Sequence, residues 1–424
     1  MKNEPEFILI MNPIGNRYQI DTREIVIFGA GKIGRSFIGQ LFASGGYNVV
    51  FVDVDPVIVD RLNSRGSYPV IIKGENDREL TVRNVRAISA SNVQKVIEAV
   101  ATAGILAVSV GKNALEKVIP VIAAGLEIRY SQNPTCPLDI IIAENMRDAG
   151  HFMKELLIAN LSLDYPFEKM VGLVETSIGK MVPIMTLVEL EKDPLVVFAE
   201  HYNTLILDGK GFKSPIPDVK GLAPKSNIKA WVDRKAFIHN LGHATAAYYG
   251  FYNHPNAVYM YEVLEDTGVF RFTRDVMLQS ADVLVTAYPG DFTTADLIDH
   301  IDDLIFRFRN KALKDTIFRV GQDLIRKLGT DDRFMGSIHL AMQYGMPYDM
   351  ILKAMSFGLC FRAKDEAGNN FTSDITFLGS LEKNFELTLI ELLCYDPALD
   401  LPVIEKLKEL YKVQLKKFSN LPDH

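Results

Sequence analysis

The passage from Glu24 to Asp55 constrains this chain more than any other. Glu24–Phe28 (EIVIF) is short, apolar and β-branched, the composition of a parallel strand buried on both faces. It runs directly into GAGKIG, with Gly29, Gly31 and Gly34, and then into RSFIGQLFASGG, whose apolar periodicity predicts a helix. A second strand, NVVFVDVD, follows and carries Asp53 near its end. Strand, glycines, helix, strand and acid in this register predict a βαβ unit that binds a dinucleotide, with the acid at the roughly 20-residue interval such units use.

Each part has a physical task. Gly29 permits the tight turn, Gly31 lets backbone approach a pyrophosphate, and Gly34 lets helix and strand pack closely. Ala30, Lys32 and Ile33 complete the loop, and the helix N-terminus offers unpaired N–H groups to phosphate. Asp53 can accept from both ribose hydroxyls, and its charge repels the 2′-phosphate of NADP, so the cofactor expected is NAD. The neighbouring Asp55 could share that role.

Further along, GILAVSVG predicts another strand, with Val110 and Gly111 at the carboxyl end where an open α/β sheet lines its cofactor crevice. LDIIIAENM predicts a strand ending in Glu144-Asn145; the Asn145 amide either points into the crevice or caps the following helix. The stretch 208–225 (DGKGFKSPIPDVKGLAPK) is rich in Gly, Pro and Lys and reads as the domain linker. After it the apolar spacing is helical almost throughout. The expected fold is therefore α/β: a Rossmann-type domain over residues 1–222, with 1–23 an extension, followed by a mostly α-helical domain over 223–424.

The second domain opens on WVDRKAFIHNLGHATAAYYG, which holds Lys235, Asn240 and His243. On an α-helix Asn240 lies roughly 140° and His243 roughly 80° round from Lys235, so the three share one broad face. An amine, an amide and an imidazole on one cleft can handle a hydroxyl that must lose its proton, although a polar helix face with a satisfied histidine has the same spacing.

The 424-residue chain is long enough for two or three domains, and 48% hydrophobic with 23% charged residues is ordinary for a globular protein. A net charge of −7 provides no basic face for nucleic acid or an anionic membrane surface. No apolar run reaches the length of a spanning helix. Cys136, Cys360 and Cys394 are widely spaced and form no metal-ligand grouping, so no metal is expected and a reduced, cytoplasmic setting is. The expected partner is a small-molecule substrate, with the chain a monomer or homodimer.

Taken together, FGAGKIGRSFIG, DVDPVIVDRLNSRGSY, AENM, DRKAFIHNLGHA, RFRNKALKD, RVGQDLIRKLGTDDR and YGMP resemble the polyol-specific long-chain dehydrogenases, over about Ile25 to Arg362. The resemblance implies a helical domain like that of 6-phosphogluconate dehydrogenase. It also implies Lys235 as general base, Asn145 and Asn240 as an oxyanion hole, and His243 as the residue that orients substrate. The reaction implied is interconversion of a hexitol phosphate and its ketose phosphate, with D-mannitol 1-phosphate and D-fructose 6-phosphate the first pair to try. An unphosphorylated polyol or a hexuronate is the alternative substrate, and a non-catalytic NAD-binding homologue the alternative of another class. A phosphorylated substrate asks for fixed cations, and Arg319, Arg326, Lys327, Arg333 and Arg362 are the candidates. One departure stands out: where the family has an Asp-Arg pair before Ile-Val-Pro, this chain has Gly179-Lys180.

Overall fold

The computed structural model describes residues 18–183, 185 and 187–418. Most of the N-terminal extension lies outside them. Its last residues do not: the first strand, β1, runs Asp21–Phe28 and so begins before Glu24.

The remaining strands are β2 (Asn48–Asp53), β3 (Ser67–Ile72), β4 (Arg78–Arg83), β5 (Val85–Ser89), β6 (Ala103–Val108), β7 (Leu138–Ile142), β8 (Val171–Ser177), β9 (Val197–Ala199), β10 (Leu205–Asp208) and β11 (Leu222–Lys225). Eight form one sheet in the order β11-β10-β8-β7-β6-β1-β2-β5, and β4-β3-β9 form a small second sheet. From β5 to β8 every pairing is parallel; β10 then joins β8 antiparallel. Strand order reverses between β1 and β6, which is where an open α/β sheet leaves its ligand crevice.

The apolar run of β1 has a direct structural cause. Side chains alternate across a strand, so Ile25 and Ile27 enter the core on one face of the sheet while Val26 and Phe28 enter the core on the other. A strand buried on both faces has no place for a polar residue in its middle.

The Gly-, Pro- and Lys-rich stretch does double duty. Its last four residues form β11, which pairs in parallel with β10, so the linker closes the sheet before the helical domain starts at Ile228. The expected break at 222/223 therefore falls inside a strand. Beyond it the helix Leu241–Asn253 is buried around most of its circumference, and the helices Thr267–Ala287, Thr294–Phe308 and Asp349–Gly358 contribute to the same core. No helix among the described residues is long and apolar enough to cross a membrane. Nor do those residues contain a His/Cys/Asp/Glu grouping able to hold a metal ion.

Candidate active site

The glycine loop has the shape its sequence predicts. Gly29 sits at φ +95°, and a Cβ there would lie 2.5 Å from the Ser109 carbonyl oxygen. A Cβ on Gly34 would lie 2.0 Å from Gly29 O, so helix and loop touch backbone to backbone. Gly31 instead faces open space, with nothing within 4 Å of a built Cβ, which is the room a pyrophosphate needs. Arg35, unremarked in the sequence, braces this loop from below: its buried guanidinium donates to Ala30 O at 2.6 Å and to Leu195 O at 2.6 Å. Lys32 is exposed at the mouth, with its amine pushed down by partial burial and then by Arg319 across the cleft.

The two aspartates separate by their partners. Asp55 is the N-cap of the helix Pro56–Arg65 and accepts from Val57 N–H. Asp53 accepts the Ala30 and Asp55 N–H groups, one on each carboxylate oxygen, and so ties the end of β2 to the glycine loop. Each oxygen keeps a second lone pair. Across the switch point, Gly111 at φ +85° donates its N–H to the buried Glu144 at 2.9 Å. Burial raises the Glu144 carboxyl, opposed by the N–H bonds of Gly111 and Val110. Glu144 thus fixes the loop holding Val110 and Gly111, a role AENM does not reveal by spacing.

The strand β7 ends at Ile142, and Asn145 stands on the exposed turn beyond it. Its Oδ1 accepts a hydrogen bond from the Lys235 ammonium of the helical domain. That contact leaves the Asn145 NH2 free of the lysine and able to donate to a substrate oxygen. Arg147 holds the turn in place: it donates to Asp233 Oδ1 at 2.8 Å and to Asp331 O at 2.9 Å. Asp233 is 2% exposed and also accepts from Tyr288 Oη at 2.5 Å, so the clasp closes on a fixed carboxylate.

Lys235 opens a π-helical segment, Lys235–Asn240, set between the α-helices Ile228–Arg234 and Leu241–Asn253. There the Leu241 N–H bonds back five residues, to Ala236 O. With that register, residues five apart stand one turn apart, so Asn240 lies over Lys235 rather than roughly 140° from it as in an α-helix. The spacing K-x4-N fits this distortion better than a regular helix. Arg333, buried, donates to the Asn240 carbonyl at 3.2 Å and to Asp332 Oδ1 at 2.7 Å, securing the end of the segment. Burial pushes the Lys235 amine down to about 8, with Arg333 lowering it further and Asp332 opposing.

His243 follows on the same helix and stacks on Phe308, ring centroids 4.4 Å apart. Its Nε2 is 3.2 Å from Asp315 Oδ2, near enough for attraction though not aligned for a good hydrogen bond. Burial lowers the imidazole and outweighs the pull of Asp315. His239, one turn earlier, is buried and held well below the ordinary histidine value by burial and then by Arg307.

The five cations expected to grip phosphate are not equivalent. Arg319 pairs with Asp315, behind His243. Arg326 is half-exposed and donates to Asp323 at 2.5 Å. Lys327 is buried and donates to the carbonyls of Val320 (2.7 Å) and Gln322, and Arg333 is occupied as described. Arg362 donates to Leu359 O and Phe361 O, and its charge is felt by Cys360 and Tyr411 in the core of the helical domain.

Gly179 and Lys180 stand at the end of the sheet, against the helical domain. Lys180 is buried, donates to Asn203 Oδ1 at 2.6 Å and Gln40 Oε1 at 3.3 Å, and is pushed down to about 8 by burial. Nearby, Glu200 accepts from Arg307 through both oxygens, at 2.5 and 2.8 Å. Arg307 also donates to Gly179 O at 2.7 Å, joining the helical domain to the end of the sheet.

Comparison with known proteins identifies the family and the fold. The family model of the mannitol dehydrogenase Rossmann domain matches residues 23–221, and that of the mannitol dehydrogenase C-terminal domain matches 227–389. Mannitol-1-phosphate 5-dehydrogenases of Buchnera aphidicola subsp. Acyrthosiphon pisum, strains APS and Tuc7, are each 31% identical over 395 residues, covering 92% of this chain and 96% of the relative. In fold, the chain is similar to Pseudomonas fluorescens mannitol 2-dehydrogenase, solved as a ternary complex with NAD and D-mannitol: TM-score 0.71 at 15% identity, over 94% of this chain and 95% of that one. With both halves matched in order and most of the chain aligned, this protein belongs to the mannitol dehydrogenase family.

Proposed function

We propose that this chain is an NAD-dependent dehydrogenase that interconverts a hexitol phosphate and its ketose phosphate, D-mannitol 1-phosphate and D-fructose 6-phosphate being the leading pair. Family membership supports the broad class, and the similarity to mannitol-1-phosphate 5-dehydrogenases supports the phosphorylated pair. The observation that carries the chemistry is the contact between the Lys235 amine and Asn145 at the carboxyl end of the sheet, beside the strand-order reversal.

NAD, when bound, accepts the hydride. Gly29, Gly31 and Gly34 would hold its pyrophosphate, with Ala30, Lys32 and Ile33 around it; Asp53 would hold its ribose, and Val110 and Gly111 would line the crevice. Asp55, spent as a helix cap, is the poorer ribose ligand.

The residues of this chain have the complementary task of moving one proton. As the carbinol carbon gives up hydride, its hydroxyl proton passes to the neutral Lys235 amine, which an ordinary lysine near pKa 10.4 supplies only rarely. Holding the amine at about 8 makes the neutral form accessible near physiological pH. Asn145 and Asn240 donate to the developing alkoxide, and His243 orients the substrate on the same face. In reverse, the protonated amine and both amides polarise the ketone.

The test is direct. Purified protein with NADH should consume fructose 6-phosphate, and with NAD should oxidise mannitol 1-phosphate. A panel of mannitol, fructose and fructuronate run beside them decides the substrate class. No NADH oxidation with fructose 6-phosphate would rule the leading pair out.

A further inference from the structure

One guanidinium in the cleft is left without a hydrogen-bonding partner among the described residues. Arg234 precedes Lys235 in the chain, and its buried Nε makes no hydrogen bond; its guanidinium forms no ion pair among the described residues. It lies against Trp231, with Cζ 4.2 Å from the ring centroid, and the same ring carries Lys225 Nζ at 3.9 Å. Burial lowers the guanidinium to about 10, so it stays charged at neutral pH. A largely buried charge without a counter-ion is costly, and among the described residues only the Trp231 and Phe292 rings lie against it.

Arg234 faces a small cavity between the end of β8 and the helical domain, lined also by Gly179, Lys235, His239, His300 and Arg307. The charge balance of these walls is simple. Arg307 is neutralised by Glu200 and Asp303. His239 and His300 are both held well below the ordinary histidine value by burial and neighbouring guanidiniums, and so stay neutral. Gly179 presents no side chain. The cavity therefore holds the Arg234 guanidinium beside the Lys235 amine, neither paired with a carboxylate, and no carboxylate lines it to repel an anion.

We propose that Arg234 binds the phosphate group of the substrate, as the anchor of an oxyanion subsite in this cavity. The assignment rests on the reading of the chain as a polyol phosphate dehydrogenase. It differs from the cations of 317–333 in a definite way: those already donate to protein acceptors, whereas the Arg234 fork is unengaged and matches a phosphate monoester. Lys235 and Arg234 are adjacent on one helix, so their side chains diverge. Both line the same cavity, so a substrate with its reacting carbon at Lys235 would present its phosphate to Arg234.

Full-length protein and Arg234→Gln should be melted in rising inorganic phosphate, and their KM values for fructose 6-phosphate and fructuronate compared. Phosphate should raise the wild-type Tm by mass action and leave that of Arg234→Gln unmoved. KM for fructose 6-phosphate should rise about tenfold or more in the variant, with kcat nearly retained. Because the substitution removes an unpaired buried charge, the variant's own Tm in phosphate-free buffer should be at least that of wild type. An equal phosphate-induced rise in both proteins, or an unchanged KM, would overturn the subsite while leaving the dehydrogenase reading intact. A wild type inactive on fructose 6-phosphate but with Arg234-dependent phosphate binding would keep the subsite and sink that substrate. If only KM for fructuronate rose, the group bound would be a carboxylate and the phosphate assignment would fall.

Discussion

Lys327 is buried and Lys235 half-buried, and burial pushes both amines down, to about 7 and about 8. Titration behaviour alone would rank Lys327 the better base. Their partners reverse that order. Lys327 gives its donors to the carbonyls of Val320 and Gln322 within its own stretch of chain, where they close a turn. Lys235 reaches across the domain boundary to an amide at the end of the sheet. A depressed amine is only a pointer to function, and here the partners separate a lysine that closes a turn from one that reaches across the domain boundary. The same accounting divides the arginines: Arg333 and Arg362 serve carbonyls, and Arg234 serves none.

The contrast can be broken most decisively at Lys235. Lys235→Ala should lower kcat by on the order of 10³–10⁴ while leaving NAD affinity within about threefold, as read by steady-state NADH formation and by fluorescence titration. Equal loss of cofactor binding would mean the residue serves the fold. Asn145→Ala comes next, at about 10²–10³ in kcat, because it removes the proposed donor to the alkoxide together with the acceptor of the Lys235 amine.

Lys327→Met tests the other half of the contrast. Leaving two carbonyls short of a donor should cost about 2 kcal/mol in chemical denaturation, with kcat nearly unchanged. A large fall in kcat with no loss of stability would overturn the division between the lysines. Arg147→Ala is expected to cost about 1–2 kcal/mol, since its partner Asp233 is buried while the arginine is half-exposed. Its diagnostic effect is a lower kcat that Arg147→Lys partly restores.

pH sharpens the comparison further. Oxidation needs the neutral amine, so its rate should rise with pH through about 8; reduction needs the protonated amine and should fall over the same range. Arg333→Met removes a positive neighbour, which raises the Lys235 value and moves the oxidation limb to higher pH. A profile unchanged by that substitution would show that burial alone sets the amine. Arg362→Ala should have the smallest effect, leaving KM for the sugar phosphate within about twofold.

Some of this was legible in the residues because it is local. A strand buried on both faces has to be continuously apolar, a turn at positive φ followed by close helix packing has to use glycine, and an acid capping β2 has to stand where β2 ends. Those demands act over a few neighbours and write themselves into EIVIFGAGKIG and NVVFVDVD. The tie from Asp53 to the glycine loop was not local, because the Ala30 N–H it accepts comes from 23 residues away, whereas Asp55 caps the helix that begins beside it.

The chain alone determined the dinucleotide fold, the order of sheet and helical domain, and the residue types available for proton transfer. Tertiary structure decided which of those residues are free to act. The π-helical turn that stacks Asn240 over Lys235, the Arg147–Asp233 clasp behind Asn145, and the spending of Lys327, Arg333 and Arg362 on carbonyls all join distant parts of the chain or alter helix register. A hydrogen-bond donor looks the same in sequence whether or not its acceptor is already supplied, and only the folded chain brings the two together.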